Sequence, residues 1–284
     1  MSLELSCSVR RIYSFPPAKL WEETIMEKTY KLTICYDGSR YFGWEHQRST
    51  DRTIQGKLEA VLSAMLSDED VPPEGAGTGD PIVDVIGAGR TDAGVHAKAM
   101  TASVRMDTPL SEEEIRDYMN RYLPEDIGVT DVRTASDRFH ARYSAVGKTY
   151  CYSCWYGPQK PVFERKYLTV LEKMPDIARM EEAAALLTGT HDYKSFCGNP
   201  KMKKSTVRTV DSIEIKKNGP VIRFYFHGDG FLQHMVRILT GTLLEVGYGK
   251  RQPSDMEAIL DARDRTAAGY TAPAQGLCLM KVDY

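Results

Sequence analysis

The sequence is organised around the stretch Gly87-Ala88-Gly89-Arg90-Thr91-Asp92-Ala93-Gly94-Val95-His96-Ala97, which lies between two segments that read as strands. Three glycines in eight residues predict a tight bend, because glycine reaches positive φ and lets another group approach the backbone closely. This bend carries a cation, a hydroxyl and a carboxylate in Arg90, Thr91 and Asp92. An arginine near a carboxylate favours the ionised form, which suits a nucleophile or a base. Asp92 is therefore the first candidate for chemistry.

The residues of this stretch also bear comparison with three other kinds of loop. A dinucleotide-binding loop needs G-x-G-x-x-G at the start of a helix, but Asp92 takes the place of the third glycine and residues 98–106 read as a strand. A phosphate-binding P-loop needs Gly-Lys-Ser/Thr at its end, which is absent. A structural hairpin whose aspartate caps the turn fits equally well, since aspartate is a common turn residue.

Length and composition bound the class of protein. At 284 residues the chain can bury a sizeable core, in one large domain or two of ordinary size. Its hydrophobic content of 42% is typical of a globular protein. No apolar run approaches the roughly 20 residues that span a bilayer, so we expect no membrane protein.

The cysteines and histidines predict neither a disulfide framework nor a metal site. Six cysteines scattered through a long chain, without a signal peptide, are typical of reduced thiols in a cytosolic protein. Cys151 and Cys154 form a C-x-x-C motif within a predicted strand, where residues three apart point to opposite faces and cannot easily share one metal. We expect no metal and no organic cofactor.

The charges are segregated although their sum is only −2. Acidic residues concentrate at 112–117 and 125–131. Basic residues concentrate in two groups: Arg138, Arg142 and Lys148, then Lys201, Lys203, Lys204 and Arg208. This pattern is compatible with one basic cleft on an acidic body, because steering depends on the local field rather than on net charge. It is equally compatible with ordinary solvated faces.

Hydrophobic periodicity predicts an α+β fold of two similar halves. The first half reads as strand 30–36, a helix capped by Thr53, strands 82–88 and 98–106, a helix at 111–122 with a Ser111/Glu114 capping box, and strand 129–133. The second reads as strand 148–156, helix 176–187, strands 207–215 and 221–227, helix 231–246, a short helix after Pro253, and strand 277–282. Helix 231–246 is expected to bury a stripe opposite Arg237 and Thr240.

Two β-α-β-β-α-β units in tandem predict ferredoxin-like halves that share a mostly antiparallel sheet, with the active-site cleft between them. We expect an N-terminal catalytic half at 29–140 that carries the Asp92 loop and a C-terminal half at 141–284 that completes the cleft. Residues 1–28, which include Pro16-Pro17 and show no periodicity, are expected to form an N-terminal extension.

The string GAGRTDAGVHA at 87–97 resembles the signature of the TruA family of tRNA pseudouridine synthases. The resemblance continues through Asp37-Gly38 with Tyr41-Phe42-Gly43-Trp44, then through 138–145, 148–152, 231–237 and 276–279. It covers nearly the whole chain from about residue 30 to residue 284. Glu45 departs from the pattern, because it stands where the family is expected to have glutamine.

The resemblance implies an isomerase that converts uridine to pseudouridine in the anticodon stem-loop of tRNA, at about positions 38 to 40, after flipping the base out of the helix. It implies that Asp92 is the nucleophile, Tyr150 the active-site tyrosine and Arg237 a neighbour of Asp92. We expect Arg90 to pair with Asp92 and to help displace the base. The expected substrate contacts are Tyr150, Arg142, Lys203, Lys204 and Arg208.

The family is further expected to act as a cytoplasmic homodimer with tRNA as partner and without a cofactor. A non-catalytic RNA-binding module is the alternative from another class. It would keep the basic clusters and Tyr150 but would not need Asp92.

Overall fold

The structure, a computed structural model, describes residues 27–67 and 82–284. Residues 1–26 of the predicted extension lie outside the described residues, and so does the whole of 68–81, a stretch rich in proline, glycine and acidic residues that the sequence predicts to be a loop. The strands are Lys28–Tyr36 (β1), Ile86–Gly87 (β2), His96–Met106 (β3), Ile127–Ala135 (β4), Gly147–Trp155 (β5), Thr169–Val170 (β6), Gly189–Asp192 (β7), Val207–Asn218 (β8), Val221–Gly228 (β9) and Leu277–Asp283 (β10). The α-helices are Ile54–Ser67 (α1), Glu112–Tyr122 (α2), Ile177–Leu186 (α3), Met235–Gly247 (α4) and Asp255–Ala262 (α5).

The sheet repeats one strand arrangement twice. Its order is β4-β1-β3-β10-β5-β9-β8-β7, with β2 also paired to β3 and β6 to β5. Around β1 the order β4-β1-β3-β2 is 4-1-3-2, and around β5 the order β10-β5-β9-β8 is the same when these strands are numbered within their half. This is the ferredoxin-like arrangement with antiparallel neighbours, and it confirms the predicted α+β fold class.

The two halves of the sheet meet where β3 runs parallel to β10. The register pairs Cys278 with His96 and Leu279 with Ala97. Because β3 begins at His96, the glycine-rich stretch ends at this junction, near the middle of the sheet rather than at its edge. The fold thus places the Asp92 loop where residues of the second half can reach it.

Several helix signals in the sequence are confirmed in their details. The Thr53 hydroxyl accepts a hydrogen bond from the Gly56 N–H at 3.2 Å, as an N-cap does. Ser111 and Glu114 form the predicted capping box at the start of α2. Within the described ranges, no helix has the length and apolar character needed to cross a membrane.

Two elements differ from the prediction for identifiable reasons. The strand predicted at 82–88 is only two residues long, Ile86–Gly87. The reason is that the Val85 N–H donates to the buried Glu59 carboxylate at 3.1 Å and not to a neighbouring strand. Strand β7 was not predicted, since four residues with a leading glycine and no alternation give almost no signal.

Helix α4 also departs from the prediction. It begins at Met235 instead of residue 231, and it is buried on nearly all sides, so Thr240 lies in the core rather than opposite a buried stripe. A helix hydrophobic all round is a core helix, and it gives its polar residues a fixed environment. Arg237 projects from this rigid element.

Candidate active site

The loop that carries Asp92 is held by backbone and side-chain hydrogen bonds. Trp44 N donates to the Thr91 carbonyl at 3.0 Å, and the Tyr36 hydroxyl lies 2.8 Å from Thr91 Oγ1. The loop turns at Gly94, whose φ of 77° is a conformation that suits glycine. The bend predicted from the glycines is present, and it presents Asp92 from a fixed backbone.

Asp92 forms an ion pair with Arg237 across the junction of the two halves. Arg237 Nη1 lies 3.0 Å from Asp92 Oδ2, and Arg237 Nε donates to the Ala272 carbonyl at 2.7 Å. The Arg237 side chain is 15% exposed and the Asp92 side chain is 25% exposed, so solvent screens the pair only in part. The guanidinium fork therefore fixes one oxygen of the carboxylate and ties it to the second half.

A second group on the same oxygen was missed by the sequence analysis. His234 Nε2 lies 3.5 Å from Asp92 Oδ2. His234 has φ 59° and ψ 2°, and a non-glycine residue in this left-handed region is strained by roughly 1 to 3 kcal/mol. The sequence offered only its place in the 231–237 block as a signal, because helical periodicity does not show such a backbone.

Arg90 does not pair with Asp92, contrary to our expectation. Its guanidinium instead forms an ion pair with Glu45, the residue that departs from the family pattern. Both side chains are about half exposed, which makes the pair easily exchanged for other partners. Arg90 is thus available to an incoming anion. The arginine that lies beside Asp92 is Arg237, the neighbour that the family resemblance implied.

Tyr150 lies on β5 and is only 8% exposed. The Phe231 ring packs edge-on against it, with 5.3 Å between ring centroids. Burial, and secondarily the charge of Asp92, raises the pKa of the Tyr150 hydroxyl, so the phenol keeps its proton. The structure brings this aromatic residue and Asp92 within electrostatic range of each other.

A half-buried lysine on β5 contacts the loop from the side of the second half. Lys148 Nζ donates to the Ala88 carbonyl at 2.8 Å. Burial, followed by the positive charges of Arg142 and Arg208, lowers the pKa of Lys148 to about 8. Two of the predicted RNA contacts therefore lie within electrostatic range of the lysine that contacts the Asp92 loop.

Lys203 and Lys204 occupy an exposed segment between two fixed points. At one end the Gly198 N–H donates to the Gln233 carbonyl at 2.8 Å, next to His234. At the other end Arg208 Nη1 donates to the Ser205 carbonyl at 3.0 Å. The segment borders the site, but neither lysine side chain has a contact with Asp92.

The chain is similar to known proteins over most of its length. The family model described as tRNA pseudouridine synthase matches residues 33–144 and 183–284, which is more than half of the chain. The chain belongs to the tRNA pseudouridine synthase family, and the prediction of an isomerase of this kind is confirmed.

Curated relatives cover almost the same residues. The protein named tRNA pseudouridine synthase A from Bacillus sp. (strain KSM-64) is 42% identical over 255 residues, which are 90% of this chain and 99% of the relative. The one of that name from Geobacillus kaustophilus is 43% identical over 261 residues, 91% of this chain and 95% of the relative. A relative named tRNA pseudouridine synthase A 2 from Clostridium perfringens is 38% identical over 257 residues, 90% and 100% of the two chains.

Proposed function

We propose that this pseudouridine synthase isomerises uridines in the anticodon stem-loop of tRNA, at about positions 38 to 40, with Asp92 as the nucleophile. The observation that carries the proposal is the ion pair of Asp92 with Arg237 at the junction of the halves, 3.0 Å long and partly shielded. The reaction breaks the N-glycosidic bond and rejoins the ribose at C5 of the same base. It releases the C5 hydrogen and consumes no cofactor.

The proposal assigns a division of labour to the surrounding residues. The flipped base stacks on the Tyr150 ring, and such stacking contributes about 1 to 3 kcal/mol per base. Arg142, Arg208, Lys203 and Lys204 bind phosphates along the path of the tRNA. We further propose that the enzyme works in the cytoplasm as a homodimer, with the tRNA crossing both subunits, and that residues 29–140 and 141–284 are its two structural units.

The position of modification is tested by mapping. An unmodified anticodon stem-loop with uridines at 38, 39 and 40 is incubated with the enzyme, and pseudouridines are located by carbodiimide adducts that stop primer extension. Stops at these positions, and none at uridines placed elsewhere in the same transcript, support the proposal. Modification only outside this region would overturn it.

Arg90 is proposed to displace the target base, exchanging Glu45 for RNA. Arg90→Lys keeps the charge but loses the planar fork that can both stack and bind phosphate. We expect tRNA binding to change little while the rate on paired uridines falls about 100-fold or more, and less on uridines in single strands, because unpairing costs a few kcal/mol. Single-turnover rates on stem and loop substrates measure this difference.

The control for Arg90→Lys is Glu45→Gln, which removes the ion pair but keeps the guanidinium. It should retain the rate on paired uridines. If Arg90→Lys lowers the rate equally on paired and unpaired uridines, Arg90 has no part in base displacement.

Lys203 and Lys204 are proposed to neutralise tRNA phosphates. Each phosphate contact contributes about 0.7 to 0.9 to the slope of log K against log salt. The double variant Lys203→Gln/Lys204→Gln should therefore bind tRNA more weakly and with a flatter salt dependence, measured by filter binding between low and physiological salt.

The matched control replaces Lys216 and Lys217, which are two adjacent exposed lysines near the other end of β8. Lys216→Gln/Lys217→Gln removes the same charge at roughly 30 Å from Val207 along the strand. It should leave the slope unchanged. An unchanged slope in the Lys203/Lys204 variant would remove these residues from the RNA path.

A further inference from the structure

The backbone of His234 has a positive φ, which is uncommon for a residue other than glycine. Among residues 27–67 and 82–284, only His234 and Arg263 are non-glycine residues with positive φ. His234 precedes α4 but its side chain makes no capping hydrogen bond, so helix capping does not explain the strain. Strain of this kind persists where the surroundings fix a residue for another purpose.

The surroundings of His234 direct its ring towards Asp92. A β carbon built on Gly198 would lie 2.4 Å from His234 Nδ1, so the imidazole fills the space where any other residue at 198 would place a side chain. The Gly198 N–H donates to the neighbouring Gln233 carbonyl at 2.8 Å and fixes this approach. Backbone and ring packing together leave Nε2 facing Asp92 Oδ2 at 3.5 Å.

His234 and Arg237 act on the same carboxylate oxygen. Arg237 donates to Asp92 Oδ2 at 3.0 Å, and within the described part of the chain Oδ1 accepts no hydrogen bond. Two groups on one oxygen fix the plane of the carboxylate and leave the other oxygen free for a substrate atom. Catalytic hydrogen bonds are often long in the free enzyme and tighten when substrate is bound, so 3.5 Å fits a contact that closes in the complex.

We propose that His234 is a positioning residue of this enzyme, whose Nε2–H donates to Asp92 Oδ2 in the substrate complex and aims Oδ1 at the ribose. The proposal rests on the proposed role of Asp92. A misplacement of about 1 Å costs up to roughly 100-fold in rate, so the loss of this donor should lower kcat by roughly 10- to 100-fold with little change in KM.

Three variants at this position test the proposal. Asparagine and glycine adopt left-handed backbone readily, but neither side chain reaches Asp92. His234→Asn and His234→Gly should match or exceed the wild type in Tm and yet show the lower kcat. In His234→Gln the amide N–H reaches about as far as Nε2–H, and this variant should recover most of the rate.

The matched control is Arg263→Asn, which relieves the same backbone strain at the end of α5, away from Asp92. It should keep the wild-type kcat. Wild-type kcat in His234→Asn, or a kcat for His234→Gln as low as that of His234→Asn, would overturn the proposal. A wild-type enzyme that forms no pseudouridine would instead refute the function on which the proposal rests.

Discussion

Asp92→Asn will yield a folded protein that binds tRNA and forms no measurable pseudouridine. The substitution nearly preserves the shape of the side chain but removes the negative charge that a nucleophile needs. Loss of a group that forms the covalent or ionic intermediate lowers turnover by at least roughly 10⁴-fold. Single-turnover pseudouridine formation on an anticodon stem-loop, with tRNA affinity measured in parallel, separates chemistry from binding.

The control for Asp92→Asn is Asp51→Asn. Asp51 is 26% exposed and lies 3.0 Å from Lys57, which matches the exposure and ion-pair distance of Asp92 with Arg237. Each substitution should lower the free energy of unfolding by about 1 kcal/mol. Only Asp92→Asn should abolish turnover. Appreciable turnover by Asp92→Asn would remove Asp92 from the nucleophilic role.

Arg237→Lys is expected to have the next largest effect. The arginine bridges Asp92 and the Ala272 carbonyl with two nitrogens of one planar group, and a lysine ammonium at the end of a flexible chain cannot reproduce both contacts. We expect kcat to fall by roughly 10²- to 10³-fold, as for the loss of one preorganised electrostatic partner. The KM for tRNA should change little because Arg237 does not lie on the proposed phosphate path.

Arg251 provides a matched control for this substitution. Arg251 Nε lies 2.6 Å from Glu245 and its Nη1 donates to the Ala267 carbonyl at 2.9 Å, so it also joins a carboxylate to a backbone carbonyl. Arg251→Lys and Arg237→Lys should each lower the free energy of unfolding by about 1 to 3 kcal/mol, but Arg251→Lys should leave kcat unchanged. Equal losses of kcat in the two variants would show that the rate follows general stability rather than the Asp92 contact.

The sequence predicted most of the fold because its signals are local. Alternation in β1 and the Ser111/Glu114 capping box depend on residues close together in the chain. That Arg237 lies near Asp92 was expected only from the resemblance of residues 231–237 to the family, because the two residues are 145 positions apart. The short length of β2 could not be foreseen, because it depends on the buried Glu59 carboxylate. This carboxylate accepts a hydrogen bond from the Val85 N–H, which lies 26 residues away in the chain.

The parts of the site that were not predicted depend on long-range contacts and on backbone conformation. Arg90 was expected to pair with Asp92 because it lies only two positions before it in the chain, but the folded chain brings Glu45 to the guanidinium instead. His234 was missed because the left-handed backbone that aims its ring is fixed by Gly198, 36 residues away, and gives no periodic signal. In both cases the deciding partner is distant in the chain.

The most direct measurement of the central claim is tritium release from tRNA labelled at C5 of uridine. Isomerisation replaces the C5–H bond with the bond to ribose, so every pseudouridine formed liberates one tritium to water. The wild-type enzyme should release tritium up to the number of target uridines, and Asp92→Asn should release none while still binding the tRNA. Retention of the label by a wild-type protein that binds this tRNA, or equal release by Asp92→Asn, would contradict the account.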